Sequence, residues 1–338
     1  MNANTSRIII ETMVRKSIQD MQDSPKRSIR NLVDMALNFS GGRFQQRFFS
    51  VTQTMLKNEN SPYYELVHGV AEHVDTERLV GFGVNLGYNS CTRGAEVIRE
   101  IEDSQGFNVP WMLTLHLDTA NRNYCAARYK SIVAQGEKMG ICTWQLFADK
   151  SMEFALSLAA EFPDSAFIIY CNQAHITPQM LDEAAELSNL MLAIRYEEGA
   201  ETLCRTLREM KLLYSVYHVY SAEDTVPILS DDLFYGIQQL DPVFAVLVPA
   251  ADCPAETRTA VTAHVRKLRE EQRFPLLLWE AVSDCRLVDS IISGDPYVAA
   301  FDADGKLHIC DNANNTTEYN LFEDDLESIF RNALPRHI

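Results

Sequence analysis

Apolar and polar positions keep one rhythm up to about residue 105 and another beyond it. In the first stretch apolar residues recur at three- and four-residue spacing, as in Ile29, Leu32, Val33, Met35 and Ala36. That period places them on one helix face and predicts amphipathic helices over 5–21, 26–39, 43–57 and 62–74. Ser24-Pro25 and Ser61-Pro62 are fitting helix starts, because an N–H at the first helical position has no partner within the helix. The segment LVGFGVNLGYNSCTRG (79–94) fits a strand with a turn and a glycine-interrupted helix equally, so it receives no assignment.

From residue 106 short apolar runs alternate with amphipathic segments. The runs are WMLTLHL (111–117), CTWQLFA (142–148), AFIIYC (166–171), LMLAIRY (190–196), LYSVYHV (213–219) and VFAVLVP (243–249). Helical patterns separate them at 125–139, 151–162, 178–188, 200–211 and 223–240. Six such β-then-α units predict a parallel sheet with crossover helices. A helix is expected at 256–272, a further strand at PLLLWEA (275–281), and a hairpin over 297–310 turning at Asp304-Gly305. The expected fold class is therefore α/β: a partial (β/α)6-type parallel barrel with a helical N-terminal extension and a small C-terminal hairpin and helix segment. By texture the chain divides into 1–105, 106–255 and 256–338. The functional face of such a barrel is the C-terminal end of its strands.

Charge changes this picture by exclusion. Lys and Arg number 30 against 47 Asp and Glu, a net charge of −17, which disfavours broad binding to nucleic-acid phosphates. Residues 1–50 carry eight basic and four acidic side chains, so the acidity lies in the rest of the chain. No run approaches 18 apolar residues, and the N-terminus lacks the apolar core of a signal peptide, so no membrane contact and a cytoplasmic location are expected. The eight cysteines never fall within a C-x-x-C spacing, so no metal site is predicted.

The chemistry concentrates in HLDTANRNYCAARY (116–129), which follows the first strand. Here Asn121, Cys125 and Arg128 stand in an N-x-x-x-C-x-x-R spacing. From Gly106 to about Asn332 the chain resembles the radical SAM superfamily, closest to members with a SPASM-like C-terminal segment. In that family this loop reads C-N-x-x-C-x-x-C and holds a [4Fe–4S] cluster. The family's Gly-Gly-Glu-Pro after strand two corresponds to Ala148-Asp149-Lys150-Ser151, and its Thr-Asn-Gly after strand three to Cys171-Asn172-Gln173. The family's C-terminal cysteine loop and hairpin correspond to Ser290 to Tyr297 and to Asp304-Gly305 through Cys310, so Ser290 and Cys310 mark the cysteine positions.

The departures set the functional expectation. Cluster ligation is normally by thiolate, and asparagine and arginine cannot replace it. The resemblance places a glutamate beside the amino group of S-adenosylmethionine where Lys150 stands. At ~4 Å and an effective dielectric of about 20, two like charges repel by about 4 kcal/mol, on the order of a thousandfold in affinity. The expectation is no cofactor: no [4Fe–4S] cluster, and S-adenosylmethionine binding disfavoured.

If the strands end as predicted, His116, Asp118, Asp149, Lys150, Asn172, Arg195, Glu197, His218, Asp252 and Glu280 gather at the barrel mouth. Blander accounts are a hydrogen-bonded core histidine for His116 and His218, and a local ion pair of Lys150 with Asp118 or Asp149. Arg128 is a candidate for the same kind of pair. The leading expectation is a catalytically inactive radical-SAM-like protein that binds a peptide, a small molecule or a protein partner. Arg43, Phe44, Arg47, Phe48 and Phe49 form the candidate docking surface. The alternatives are cluster-independent acid–base chemistry at the mouth, and a regulator whose helical arm contacts nucleic acid.

Overall fold

The computed structural model describes residues 3–39, 42–310 and 314–336. Its chain folds as two compact units, Met1–Ser40, Arg47–Val80 and Leu192–Asp284 in one, and Gly41–Gln46, Gly81–Met191 and Cys285–Ile338 in the other.

The first unit begins with helices α1 (Ala3–Asp23), α2 (Pro25–Phe39), α3 (Arg43–Met55, from Arg47 onward), α4 (Tyr63–His73) and the start of α5 (Thr76–Val84). These agree with the helical periodicity, and α2 starts at the predicted proline. Ile29 and Val33, one turn apart, are buried. Tyr64 on α4 ties the bundle together: its hydroxyl donates to Leu56 O at 2.6 Å and accepts from Arg30 Nε at 2.7 Å.

The same unit holds strands β4 (Leu190–Arg195, from Leu192 onward), β5 (Tyr214–Tyr220), β6 (Phe244–Pro249) and β7 (Leu277–Glu280), each paired in parallel with the next. Between them run α10 (Ala200–Glu209), α11 (Thr225–Leu229), α12 (Asp232–Gln238) and α13 (Ala255–Glu271). Ala245, Val246 and Leu247 of β6 are all buried, which is why this strand reads as an unbroken apolar run.

In the second unit β1 (Met112–His116), β2 (Thr143–Phe147) and β3 (Ala166–Cys171) run parallel, with α7 (Ala126–Lys138) and α8 (Met152–Glu161) between them and α9 (Pro178–Ala185) after β3. Helix α14 (Ala281–Ile292) leads from the first unit into β8 (Val298–Phe301), β9 (Lys306–Cys310), β10 (Asn314–Asn320) and α15 (Leu326–Ala333). The strand order here is β10-β9-β8-β1-β2-β3. The predicted hairpin is β8–β9, and it turns at Asp304-Gly305, where Gly305 has φ +82°. What the pattern did not reveal is that β8 lies parallel against β1, Leu115 beside Phe301.

The open segment 79–94 is helical throughout. Residues Asn85–Gly94 form a π-helix that runs into α6 (Ala95–Gln105). Its amides explain the ambiguous polarity. Asn85 Nδ2 donates to Pro163 O and Ser165 O, and Asn89 Nδ2 to Asp164 O at 2.8 Å, so both side chains are buried and fixed to the loop before β3. Gly94 serves packing: a Cβ there would lie 2.2 Å from Gly140 O.

Gly94→Ala is therefore expected to destabilise the fold by about 1–3 kcal/mol through overpacking against backbone. A Cβ at Gly87, in the same π-helix, meets nothing within 4 Å, so Gly87→Ala is the near-neutral control. Thermal melting of the two variants checks this.

Candidate functional site

In the second unit the C-terminal ends of the strands carry a row of rings. His116 pairs with Phe147, and Phe147 with Tyr170, across β1, β2 and β3. The three rings stack along that rung, His116 on Phe147 at 4.7 Å and 10°, Phe147 on Tyr170 at 4.2 Å and 11°. One rung below, Thr114 donates to Gln145 Oε1 at 3.2 Å. The His116 ring retains solvent access, yet the surrounding walls desolvate it, which pushes its pKa down. His308 lowers it further, while Asp302 and Asp149 oppose the fall. His116 is thus a largely neutral imidazole at pH 7, able both to donate and to accept.

Beside it stands a pair the motif comparison overlooked. Because Leu115 pairs with Phe301, the next residue, Asp302, falls next to His116. Asp302 Oδ2 meets His308 Nε2 at 2.7 Å, and its Oδ1 accepts from the backbone N–H groups of Asp304 and Lys306. Burial raises the Asp302 carboxyl, but His308 and those two N–H groups outweigh it and hold the pKa below the ordinary value. The signal was present in the predicted hairpin. In the hairpin register His308 lies opposite Ala300, so Asp302, two residues on along the same face, is its diagonal neighbour.

The first βα loop is engaged by the C-terminal segment. Asn121 Nδ2 donates to Asp304 Oδ1 at 2.9 Å, and the Arg128 guanidinium donates to Leu321 O and Asp324 O. The expected ion pairing of Arg128 is corrected accordingly: its partners are carbonyl oxygens. Cys125 is exposed and precedes α7, and Asp118 is half-buried and accepts from Ala120 N. Asp149 and Lys150 are exposed, and among the described residues no ion pair joins Lys150 to Asp118 or Asp149. Asn172 caps a short 3-10 turn through Ala174 N. Ser290 Oγ donates to Leu287 O on α14; the side chain of Cys310 lies outside the described residues.

The first unit brings together the remaining candidates in two groups. His218 Nε2 lies 3.0 Å from Asp224 Oδ1, whose other oxygen accepts from Ser221 N and Oγ. Burial raises the Asp224 carboxyl, and these donors reverse that to a net fall. Glu280 is 2 % exposed; it accepts from the Tyr220 hydroxyl at 3.0 Å and from Ser283 N at 2.6 Å. Burial dominates there and raises its pKa. Arg195 pairs with Glu197 at 3.6 Å, and Asp252 is exposed. On the N-terminal helices Phe48 is 51 % exposed and packs edge-on against Phe49.

No family model matches the sequence, and no curated protein matches it. Solved structures do. The chain is similar to Streptococcus suis SuiB, a radical SAM enzyme, in the structure bound to the precursor peptide SuiA. That match has TM-score 0.51 and 11% identity, covering 70% of this chain and 67% of that one. SuiB bound to S-adenosylmethionine gives 0.51, 10%, 70% and 66%, and SuiB alone 0.50, 10%, 88% and 78%. The chain thus spans about two thirds of the length of the ligand-bound chains it matches. The likeness is one of fold: mixed α/β with a mostly parallel sheet, helices at the N-terminus and a hairpin near the C-terminus.

This finding overturns the expectation of no cofactor with S-adenosylmethionine disfavoured, because SuiB holds that molecule in a fold of this kind. The physical reason is the dielectric. Lys150 is exposed, where water reduces a repulsion at ~4 Å to about 1 kcal/mol and the flexible stem can turn away. The donor set for a cluster is a separate matter. The loop offers one thiol, Cys125, while Asn121 and Arg128 are hydrogen-bonded elsewhere. Among the described residues no three His, Cys, Asp or Glu side chains form a metal-holding group. These residues do not fit a three-thiolate cluster.

Replacing Arg128 by alanine removes two charge-assisted hydrogen bonds to carbonyl groups. The expected cost is about 2–4 kcal/mol of stability, with faster amide exchange over 321–329 than elsewhere. Denaturant unfolding and hydrogen exchange on the variant measure both.

Proposed function

We propose that this chain is a catalytically inactive member of the radical SAM fold class that works by binding, its strand ends receiving a peptide. One observation carries the reading. The positions where the resemblance puts two cluster thiolates, Asn121 and Arg128, instead hold the C-terminal segment through Asp304, Leu321 and Asp324. A peptide ligand is supported by the likeness to SuiB, whose structure contains a precursor peptide, and S-adenosylmethionine is retained as a candidate co-ligand on the same ground.

The groups offered to a ligand are chemically mixed. His116, with its stacked rings, gives a flat apolar surface ending in a neutral donor and acceptor. Asp118, Asp149 and Lys150 add charge in the same unit. The other unit separately offers His218, Arg195 and Glu197, while Glu280 there is buried with both oxygens engaged. Asn172 has its side-chain oxygen engaged in a cap, so its amide nitrogen is the part offered. The exposed Phe48 and its basic neighbour Arg47 offer a second surface, suited to a protein partner.

The described cysteines are all free, which supports a reducing, cytoplasmic setting. No helix among the described residues is long and apolar enough to cross a membrane.

The test is mass spectrometry of whatever co-purifies from the native host, followed by calorimetry with the recovered peptide. A peptide bound by the parent and weakened about tenfold or more by His116→Ala or by Asp149→Asn supports the reading. A recovered ligand that both variants bind as well as the parent contradicts the assignment of these strand ends. Turnover of that ligand by the parent contradicts inactivity.

A further inference from the structure

Away from the strand ends, at the start of β1, the second unit buries two acids that no function described above uses. Glu102, on the last turn of α6, is 1 % exposed. Its Oε1 accepts from Val109 N at 3.1 Å, and its Oε2 has no hydrogen-bond partner. Asn108, the residue before Val109, is equally buried, and its Oδ1 also lacks a partner. Asp289, on α14, is 1 % exposed and bridges two segments. One oxygen accepts from Trp111 N at 3.0 Å, the other from Tyr297 N at 2.8 Å. These two N–H groups lie just before β1 and just before β8, neighbours in the sheet. Two carboxyls and an amide oxygen, acceptors all, thus share one corner; backbone N–H groups serve Glu102 Oε1 and both Asp289 oxygens, and nothing serves Glu102 Oε2 or Asn108 Oδ1.

An ionised carboxylate with an unmatched oxygen in such surroundings is costly, and a proton on that oxygen removes the charge and supplies a donor. The charged groups around the corner do not neutralise it. Asp103 on α6 and Asp295 in the loop before β8 add negative charge. Arg336 lowers Glu102 but less than burial raises it, being paired with Asp103 at 2.7 Å; Arg99 donates to Ile292 O, and Arg331 on α15 is paired with Glu327.

We propose that Glu102 and Asp289 form a proton-dependent latch that holds the starts of β1 and β8 together, closed while Glu102 is protonated and loosened when it ionises. Burial raises Glu102 to about 7, and it raises Asp289 well above the ordinary carboxyl value, with Glu102 itself adding to that rise. An acid raised in the folded chain keeps its proton there after the unfolded chain has lost it. The latch therefore stabilises the fold fully below about pH 4.5, and this contribution is lost as pH climbs to about 7. Because β1 ends in His116, loosening at its start transmits to the ring stack.

The experiment compares the parent with Glu102→Gln, which supplies a donor at every pH. The parent should lose several degrees of thermal midpoint between about pH 5 and pH 7.5. Its amides at Val109, Trp111 and Tyr297 should also exchange faster than base catalysis alone explains. The variant should lack both changes and melt above the parent at pH 8. Parallel pH profiles for the two proteins overturn the proposal. Should the variant not fold, carbon-detected NMR of the Glu102 carboxyl in the parent decides: titration near pH 7 supports the latch, and titration near pH 4.5 overturns it.

Discussion

The Arg128 guanidinium, donating to the carbonyls of Leu321 and Asp324, is the contact on which the reading of this molecule depends. A guanidinium is permanently charged and cannot give a lone pair, so wherever it stands no metal is ligated. Here its planar donors close the first βα loop onto the segment between β10 and α15, and Asn121 repeats the contact at the β8–β9 turn. The loop is part of the packing of the chain's own C-terminal region.

Around that closure the strand ends remain polar, and their pKa shifts have separable causes. Desolvation lowers His116 and raises Glu280, each of which favours the neutral form. Hydrogen-bond donors do the reverse for Asp302 and Asp224, which stay ionised beside His308 and His218. Each unit therefore presents an anchored carboxylate–imidazole pair together with a second group whose neutral form burial favours. That arrangement suits recognition of a ligand carrying both flat apolar and hydrogen-bonding parts. It also contains the elements of acid–base chemistry, with no partner geometry that selects a reaction.

Much of the fold was legible in the amino-acid sequence because two periods differ so plainly. Helices α1 to α4 followed from three- and four-residue spacing, and β1 to β6 from apolar runs such as AFIIYC that are buried on both faces. The π-helix at Asn85–Gly94 escaped because its polar residues are satisfied by tertiary partners, Asn85 and Asn89 reaching the loop before β3. The pairing of β8 with β1 escaped for a related reason. A contact between residues 115 and 301 is set by tertiary packing and leaves no local pattern. At the site, the contacts made by single residues were not legible in the sequence. A charge at Arg128 suggests an ion pair, whereas carbonyl oxygens bind it. Lys150 lies in water, which reduces the repulsion expected at an effective dielectric of about 20. The Asp302–His308 pair needed only the hairpin register, which the Asp304-Gly305 turn already implied.

The most direct measurement of the central claim is an assay for reductive cleavage of S-adenosylmethionine. The protein would first be treated anaerobically with iron and sulfide and given a strong reductant. A chain whose first loop is committed to holding its own C-terminal segment leaves S-adenosylmethionine intact, bound or not, under conditions where SuiB run in parallel serves as the reference. Cleavage at a rate comparable to that reference, abolished by Cys125→Ala, would contradict the account outright.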